Sequence, residues 1–162
     1  MTVSAFCLFS LALCALSGRD ATESEIQDRL VGTWKLVSTE ETLRDGTTRP
    51  FPSFGPHAEG FLIYHPNGYM CALLVNHDRT TAADPSHRRP EKPAAFAYSG
   101  RYEIDGKREQ IVHLPEIATK PEYVGSRQVR PYRFEGSRLI LSDVEREDPS
   151  VARWQIVWEK VK

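Results

Sequence analysis

Gly32-Thr33-Trp34-Lys35-Leu36-Val37-Ser38-Thr39 is the stretch on which the reading of this chain turns, because the apolar period changes there. Ahead of it, Ile26 and Leu30 are spaced i, i+4, as on one face of a helix. From Gly32 onward the period is two. Trp34, Leu36 and Ser38 share one face of a strand; Lys35, Val37 and Thr39 share the other. The glycine allows a tight turn into that strand, and the tryptophan is large enough to plug one end of a closed sheet. A core tryptophan after a turn would also produce this tripeptide, so the rest of the chain has to decide.

Working outward, Ser24 to Leu30 reads as a short helix, with Ser24 and Gln27 at capping-box spacing. It is expected to cover one end of a barrel. Downstream, Asp45-Gly46 is a hairpin-type turn. Phe61–Tyr64 and Tyr69–Val75 flank Pro66-Asn67-Gly68, the clearest hairpin in the chain. Further strands are expected over Phe96–Ile104, Gln110–Leu114 with a short piece near Ile117, Val124–Phe134, Arg138–Ser142 and Arg153–Lys160. Together these make an all-β fold, a single antiparallel barrel of about eight to ten strands with one short N-terminal helix. Two loops break the rhythm: Asn76–Pro93, rich in proline and basic residues, and the acidic Ser142–Ala152. Connections longer than about 12 residues are often lids or other functional segments. A solvated surface loop would account for the first equally simply.

Length and composition set the outer bounds. At 162 residues the chain is long enough for one domain with a real core. Its 21 basic and 22 acidic residues nearly balance, which argues against a nucleic-acid partner. Met1 to Gly18 carries no charged side chain, and Val3 to Leu16 is apolar apart from Ser4 and Ser10. That run is short of the ~20 apolar residues a spanning helix needs, and Ala15-Leu16-Ser17 suits cleavage before Gly18. Residues 1–17 therefore read as a signal peptide, although its only positive charge is the α-amino group. A lipoprotein signal ranks second, because Leu13 before Cys14 is large. The expectation is a secreted or periplasmic protein rather than a cytoplasmic one, with the barrel over residues 24–162 and no integral membrane segment in the mature chain. Cys71 would then be the one cysteine of the mature chain, leaving no partner for a disulfide. Its apolar strand suggests an inert buried thiol.

Several short patterns occur in order: Gly32-x-Trp34, Gly60-x-Leu62-x-Tyr64, Gly68-Tyr69-Met70, Tyr98-x-Gly100-x-Tyr102, His113 shortly before a proline, Gly125-x-x-Gln128-x-Arg130 and Leu139-x-Leu141. The ordered set resembles the lipocalin-like domain proteins of bacteria and fungi, a calycin-type group, over about residues 27 to 160. The resemblance implies an antiparallel barrel with a central cavity. It also implies small-molecule binding or, for members in biosynthetic pathways, cyclase or isomerase activity. Cys71 and Pro131 depart from the pattern. Pro131 removes a ladder donor, so it is expected at a bulge or an edge, where it could interrupt closure or reset strand parity.

Parity nominates the site. Gln128, Arg130, Tyr132 and Phe134 alternate on one face of their strand. If the aromatic pair points inward and nothing resets the alternation, Arg130 and Gln128 do too. A buried arginine needs a counter-charge, either a protein carboxylate or the carboxylate, enolate or phenolate of a ligand. The alternative puts Arg130 outside, in a solvated row with Arg127 and Arg133. His113 shares parity with Ile111 and is the candidate catalytic residue, a ligand contact or general base; a histidine bonded to backbone would serve as well. Tyr98 and Tyr102 are further inward candidates, each an aromatic wall with a polar tip. Trp34, Phe96, Tyr132, Phe134 and Trp154 would meet the apolar part of a ligand. The five histidines show no metal-ligand spacing, and no phosphate-cradling or dinucleotide motif is present, so no metal and no cofactor are expected. These residues point to a binder of a small, largely apolar molecule with an anionic or carbonyl group. The alternatives are a cyclase or isomerase in the same cavity, with His113 moving a proton and Arg130 and Gln128 stabilising an oxyanion, and a filled barrel serving as an interaction module.

Overall fold

The structure, a computed structural model, describes residues 22–77, 95–144 and 148–162. The signal-peptide reading of residues 1–17 and nearly all of the basic loop lie outside the described residues. Helix α1 (Glu23–Leu30) is followed by nine strands: β1 (Gly32–Leu43), β2 (Thr48–Arg49), β3 (Ala58–Tyr64), β4 (Tyr69–Asn76), β5 (Ala95–Asp105), β6 (Gln110–Ala118), β7 (Gln128–Glu135), β8 (Arg138–Val144) and β9 (Val151–Lys160). Eight of them, β1 and β3 to β9, pair in sequence order, and β9 pairs back onto β1 to close an antiparallel barrel. β2 is an extra strand folded onto the far end of β1 through the Asp45-Gly46 turn.

α1 covers one end of the barrel, with Ile26 and Leu30 buried as their spacing predicts. Its cap lies two residues earlier than expected. Thr22 and Glu25, not Ser24 and Gln27, form the reciprocal capping box. Gln27 instead donates to the Pro66 carbonyl of the β3–β4 turn at 3.2 Å. Trp34 sits beneath the helix, 2% exposed, and its indole N–H donates to the Leu30 carbonyl at 2.8 Å. That bond satisfies one of the carbonyls a helix leaves open at its C-terminus.

The alternation expected along β1 holds for Trp34 and Leu36 and then breaks. The β1–β9 register slips between Leu36 and Ser38, so Val37 and Ser38 both face outward and Thr39 turns in. One extra residue in a strand reverses the faces beyond it. A second slip, between Ser99 and Gly100 opposite Ile117 and Pro115, lets β6 run unbroken through what the sequence suggested were two pieces. There the two backbones approach so closely that a Cβ on Gly100 would collide with the Leu114 carbonyl oxygen and stand 2.7 Å from the Glu116 nitrogen. Gly100→Ala is therefore expected to cost about 1–3 kcal/mol, as overpacking does, measurable as a lowered urea midpoint.

β7 begins at Gln128, after a 3₁₀ turn over Pro121–Tyr123, and not at Val124. Pro131 occupies no bulge. The Tyr132 N–H bonds toward β6, to the Glu109 carbonyl at 2.9 Å, so by alternation the Pro131 nitrogen faces β8. The β7–β8 ladder starts only at Tyr132 opposite Leu141, so no donor is missed there. The proline sits where β7 passes from pairing with β6 to pairing with β8. The barrel stays closed, and the parity of Arg130 is not reset. Cys71 corrects another expectation. It is exposed, because Met70, Ala72 and Leu74 take the inward positions of β4.

Candidate functional site

The barrel is not filled. A cavity of about 990 Å³ opens at the end away from α1. Its wall combines Leu62, Leu74, Phe96, Tyr98, Trp154 and Ile156 with Gln128 and Arg130. Two further groups complete the mouth. Phe51 and Phe54, from the segment between β2 and β3, fold over it, with Phe51 edge-on to Trp154 at 6.2 Å between ring centres. Lys120 and Tyr123 stand beside Phe96, the Lys120 ammonium 5.5 Å from its ring. Strand periodicity could not nominate these residues, because they lie outside the barrel strands. The only signal was two phenylalanines in a Pro- and Gly-rich segment, Phe51-Pro52-Ser53-Phe54-Gly55-Pro56.

Arg130 faces inward, half-buried, its guanidinium 5.1 Å from the Trp154 ring centre. It donates to the Gln128 side-chain oxygen at 2.9 Å and to the Val129 carbonyl at 3.0 Å. Gln128 in turn donates to Ser126 Oγ at 2.8 Å, so both ends of its amide are committed. It orients Arg130. The wall carries further charges, Lys120 and Asp143 among them; Arg127 pairs with Glu103, Arg108 with Asp105, and Glu41 with Arg49. Asp143, on the neighbouring β8, lines the same cavity, and the hydrogen bonds of Arg130 go to neutral oxygens.

Tyr98 lines the cavity, while His113 lies directly behind it, fully buried. The two imidazole nitrogens are both occupied: Tyr64 Oη is 2.6 Å from Nε2 and Tyr98 Oη is 2.8 Å from Nδ1. Burial, aided by the positive charge of Arg130, holds His113 well below its ordinary pKa of 6.5 and keeps it neutral. Burial likewise raises the Tyr64 and Tyr98 hydroxyls, with Arg130 opposing the rise in both. Of the remaining candidates, Tyr102 lies against Tyr64 with its hydroxyl on the His65 carbonyl at 3.1 Å. Tyr132 packs on Phe134, and Phe134 on Trp34, at the end covered by α1. Of the aromatic residues expected to meet a ligand, Phe96 and Trp154 line the cavity; Trp34, Tyr132 and Phe134 do not. One donor lacks an acceptor: Trp158 Nε1–H is buried in the wall with no partner among the described residues. No cluster of three or more histidine, cysteine or acidic side chains suited to a metal occurs among the described residues, and no described helix is long and apolar enough to cross a membrane.

With this geometry in view, the comparison with known families is direct: the model of the lipocalin-like domain matches residues 31–161. The chain belongs to the lipocalin-like domain family. The match runs from the start of β1 to beyond the end of β9, so the whole barrel is the lipocalin-like domain. No curated protein matches the chain. Among solved structures it is similar to a redesigned β-barrel, with 9% identity over 84% of this chain and 95% of that one and a TM-score of 0.40. That likeness is too loose to carry an argument. A lipocalin-like barrel with an open cavity is consistent with small-molecule binding, and its wall chemistry has to supply the rest.

Proposed function

We propose that this lipocalin-like barrel binds a small, largely apolar molecule and holds its anionic or carbonyl oxygen at Arg130. The observation that carries this reading is a guanidinium that faces an open, aromatic-walled cavity and whose hydrogen bonds go to neutral oxygens. Charge withdrawn from water is costly unless it is paired. The Gln128 and Val129 oxygens accept two of its five N–H groups and supply no negative charge. A ligand oxyanion would supply a counter-charge in direct contact with it. Phe96, Trp154, Phe51 and Phe54 would enclose an aromatic or aliphatic body beside it.

Native mass spectrometry of the protein, purified gently from its own host, tests the reading directly. The expected result is a bound small molecule that is released on denaturation and absent from Arg130→Met. In vitro, 8-anilinonaphthalene-1-sulfonate should bind the wild type at least about tenfold more tightly than Arg130→Met, the range for a bond to a charged group. N-phenyl-1-naphthylamine, the same skeleton without the sulfonate, should bind both alike. Equal affinity of the sulfonate for the two proteins would remove Arg130 as the anchor.

A further inference from the structure

The pair of phenols on His113 carries information that the hydrogen-bond distances alone do not state. A neutral imidazole has one N–H and one lone pair. With Tyr64 on Nε2 and Tyr98 on Nδ1, one phenol must donate to the ring and the other must accept from it. If Tyr64 accepted, its own hydroxyl hydrogen would be left in the core, because Tyr64 is 1% exposed and its hydroxyl has no other partner among the described residues. A buried donor without an acceptor forfeits its full desolvation energy. If Tyr98 accepts instead, its hydrogen has somewhere to go, because Tyr98 lines the cavity. The second arrangement wins. Tyr64 donates to Nε2, Nδ1–H donates to Tyr98, and the Tyr98 hydrogen is turned toward the cavity.

We infer that Tyr98 and Arg130 together form a two-donor seat for a negatively charged acceptor oxygen of the ligand, with His113 and Tyr64 as positioning residues that set the direction of the Tyr98 O–H. The inference deepens the anionic-ligand reading and rests on it. Three strands converge to build the seat: β5 brings Tyr98, β6 brings His113 and β7 brings Arg130, with Tyr64 behind on β3. Groups that only donate, such as an ammonium or an amide N–H, meet two donors there and are disfavoured. Carboxylates and enolates are the class that fits. The seat also gives His113 a role at one remove from the ligand, since both of its nitrogens are taken.

Two measurements test this. In the ¹⁵N-labelled wild type, long-range ¹H–¹⁵N spectra read the His113 tautomer directly. The Nδ1–H form is expected, and the Nε2–H form would overturn the inference. In titrations with 8-anilinonaphthalene-1-sulfonate, Tyr98→Phe should lose about tenfold in affinity while N-phenyl-1-naphthylamine binds unchanged. Tyr64→Phe, a residue outside the cavity wall, should weaken the sulfonate several-fold and give a mixed His113 tautomer. If Tyr98→Phe binds the sulfonate as well as the wild type while Arg130→Met loses it, the seat is Arg130 alone; the inference falls and the anionic-ligand reading stands. If neither substitution changes binding, both fall. Should Tyr64→Phe fail to fold, the tautomer of the wild type and the Tyr98→Phe titration decide without it.

Discussion

Trp34→Ala is expected to lower stability by about 3–5 kcal/mol, the range for removing a large buried aromatic. A domain of this kind has roughly 5–15 kcal/mol in all, so a large share of the protein's stability hangs on one side chain. Three contacts are lost together. The ring is packed on Phe134 at 6.2 Å, its N–H holds the Leu30 carbonyl, and the Lys160 ammonium lies 5.2 Å from its face. Alanine would leave a void under α1 and an open carbonyl at the helix end. Trp34→Phe keeps most of the plug and loses the N–H, so its cost should be smaller, about 1–2 kcal/mol. Urea unfolding followed by circular dichroism separates the two. A loss below 1 kcal/mol for Trp34→Ala would mean that the barrel end is held by something other than this plug.

The second large effect is a pH dependence centred on His113. Its folded-state pKa lies well below 6.5, first because it is buried and then because Arg130 is positive. The unfolded chain therefore binds a proton near pH 6.5 that the folded protein refuses. Stability from this group is fully present above that value. It is lost as the pH falls from 6.5 toward the folded-state pKa, at about 1.4 kcal/mol per pH unit. Glu25, Asp45, Asp105 and Asp148 are also depressed by local hydrogen bonds, but from the carboxylate range, so their losses begin at lower pH. His113→Phe should flatten the profile between pH 6.5 and 5. At neutral pH it should itself cost about 1–3 kcal/mol, because the Tyr64 hydroxyl loses its partner in the core. Parallel profiles for wild type and variant would assign the slope to other groups.

Much of the fold was legible because strands and turns are local. Alternation located β3, β4 and β5, Pro66-Asn67-Gly68 marked the turn between β3 and β4, Asp45-Gly46 marked the turn after β1, and the i, i+4 pair Ile26 and Leu30 marked the buried face of α1. The inward parity of Gln128 and Arg130 was readable in the same way. The misreadings have non-local causes. Ser38 and Thr39 exchanged faces because β1 takes an extra residue against β9, which lies more than a hundred residues away in the chain. Pro131 interrupts nothing, because the ladder it would have interrupted has not yet begun at that point. Cys71 is exposed because an apolar strand in a barrel still has an outer face, and here that face carries Cys71 and Leu73.

By itself, then, the sequence pointed to the family, through an ordered set of short patterns along the chain, and to most of the strands and inward side chains, which follow from spacing within one segment. Only the tertiary structure decided which inward side chains meet a cavity and which meet one another. Trp34, Tyr132 and Phe134 share inward parity with Arg130, yet they close the end beneath α1, while Arg130 and Tyr98 face open space. That division depends on depth along the barrel axis. Depth is set by the register of eight strands against one another and by where the Phe51–Phe54 segment folds over the mouth, and no periodicity within a single strand encodes it.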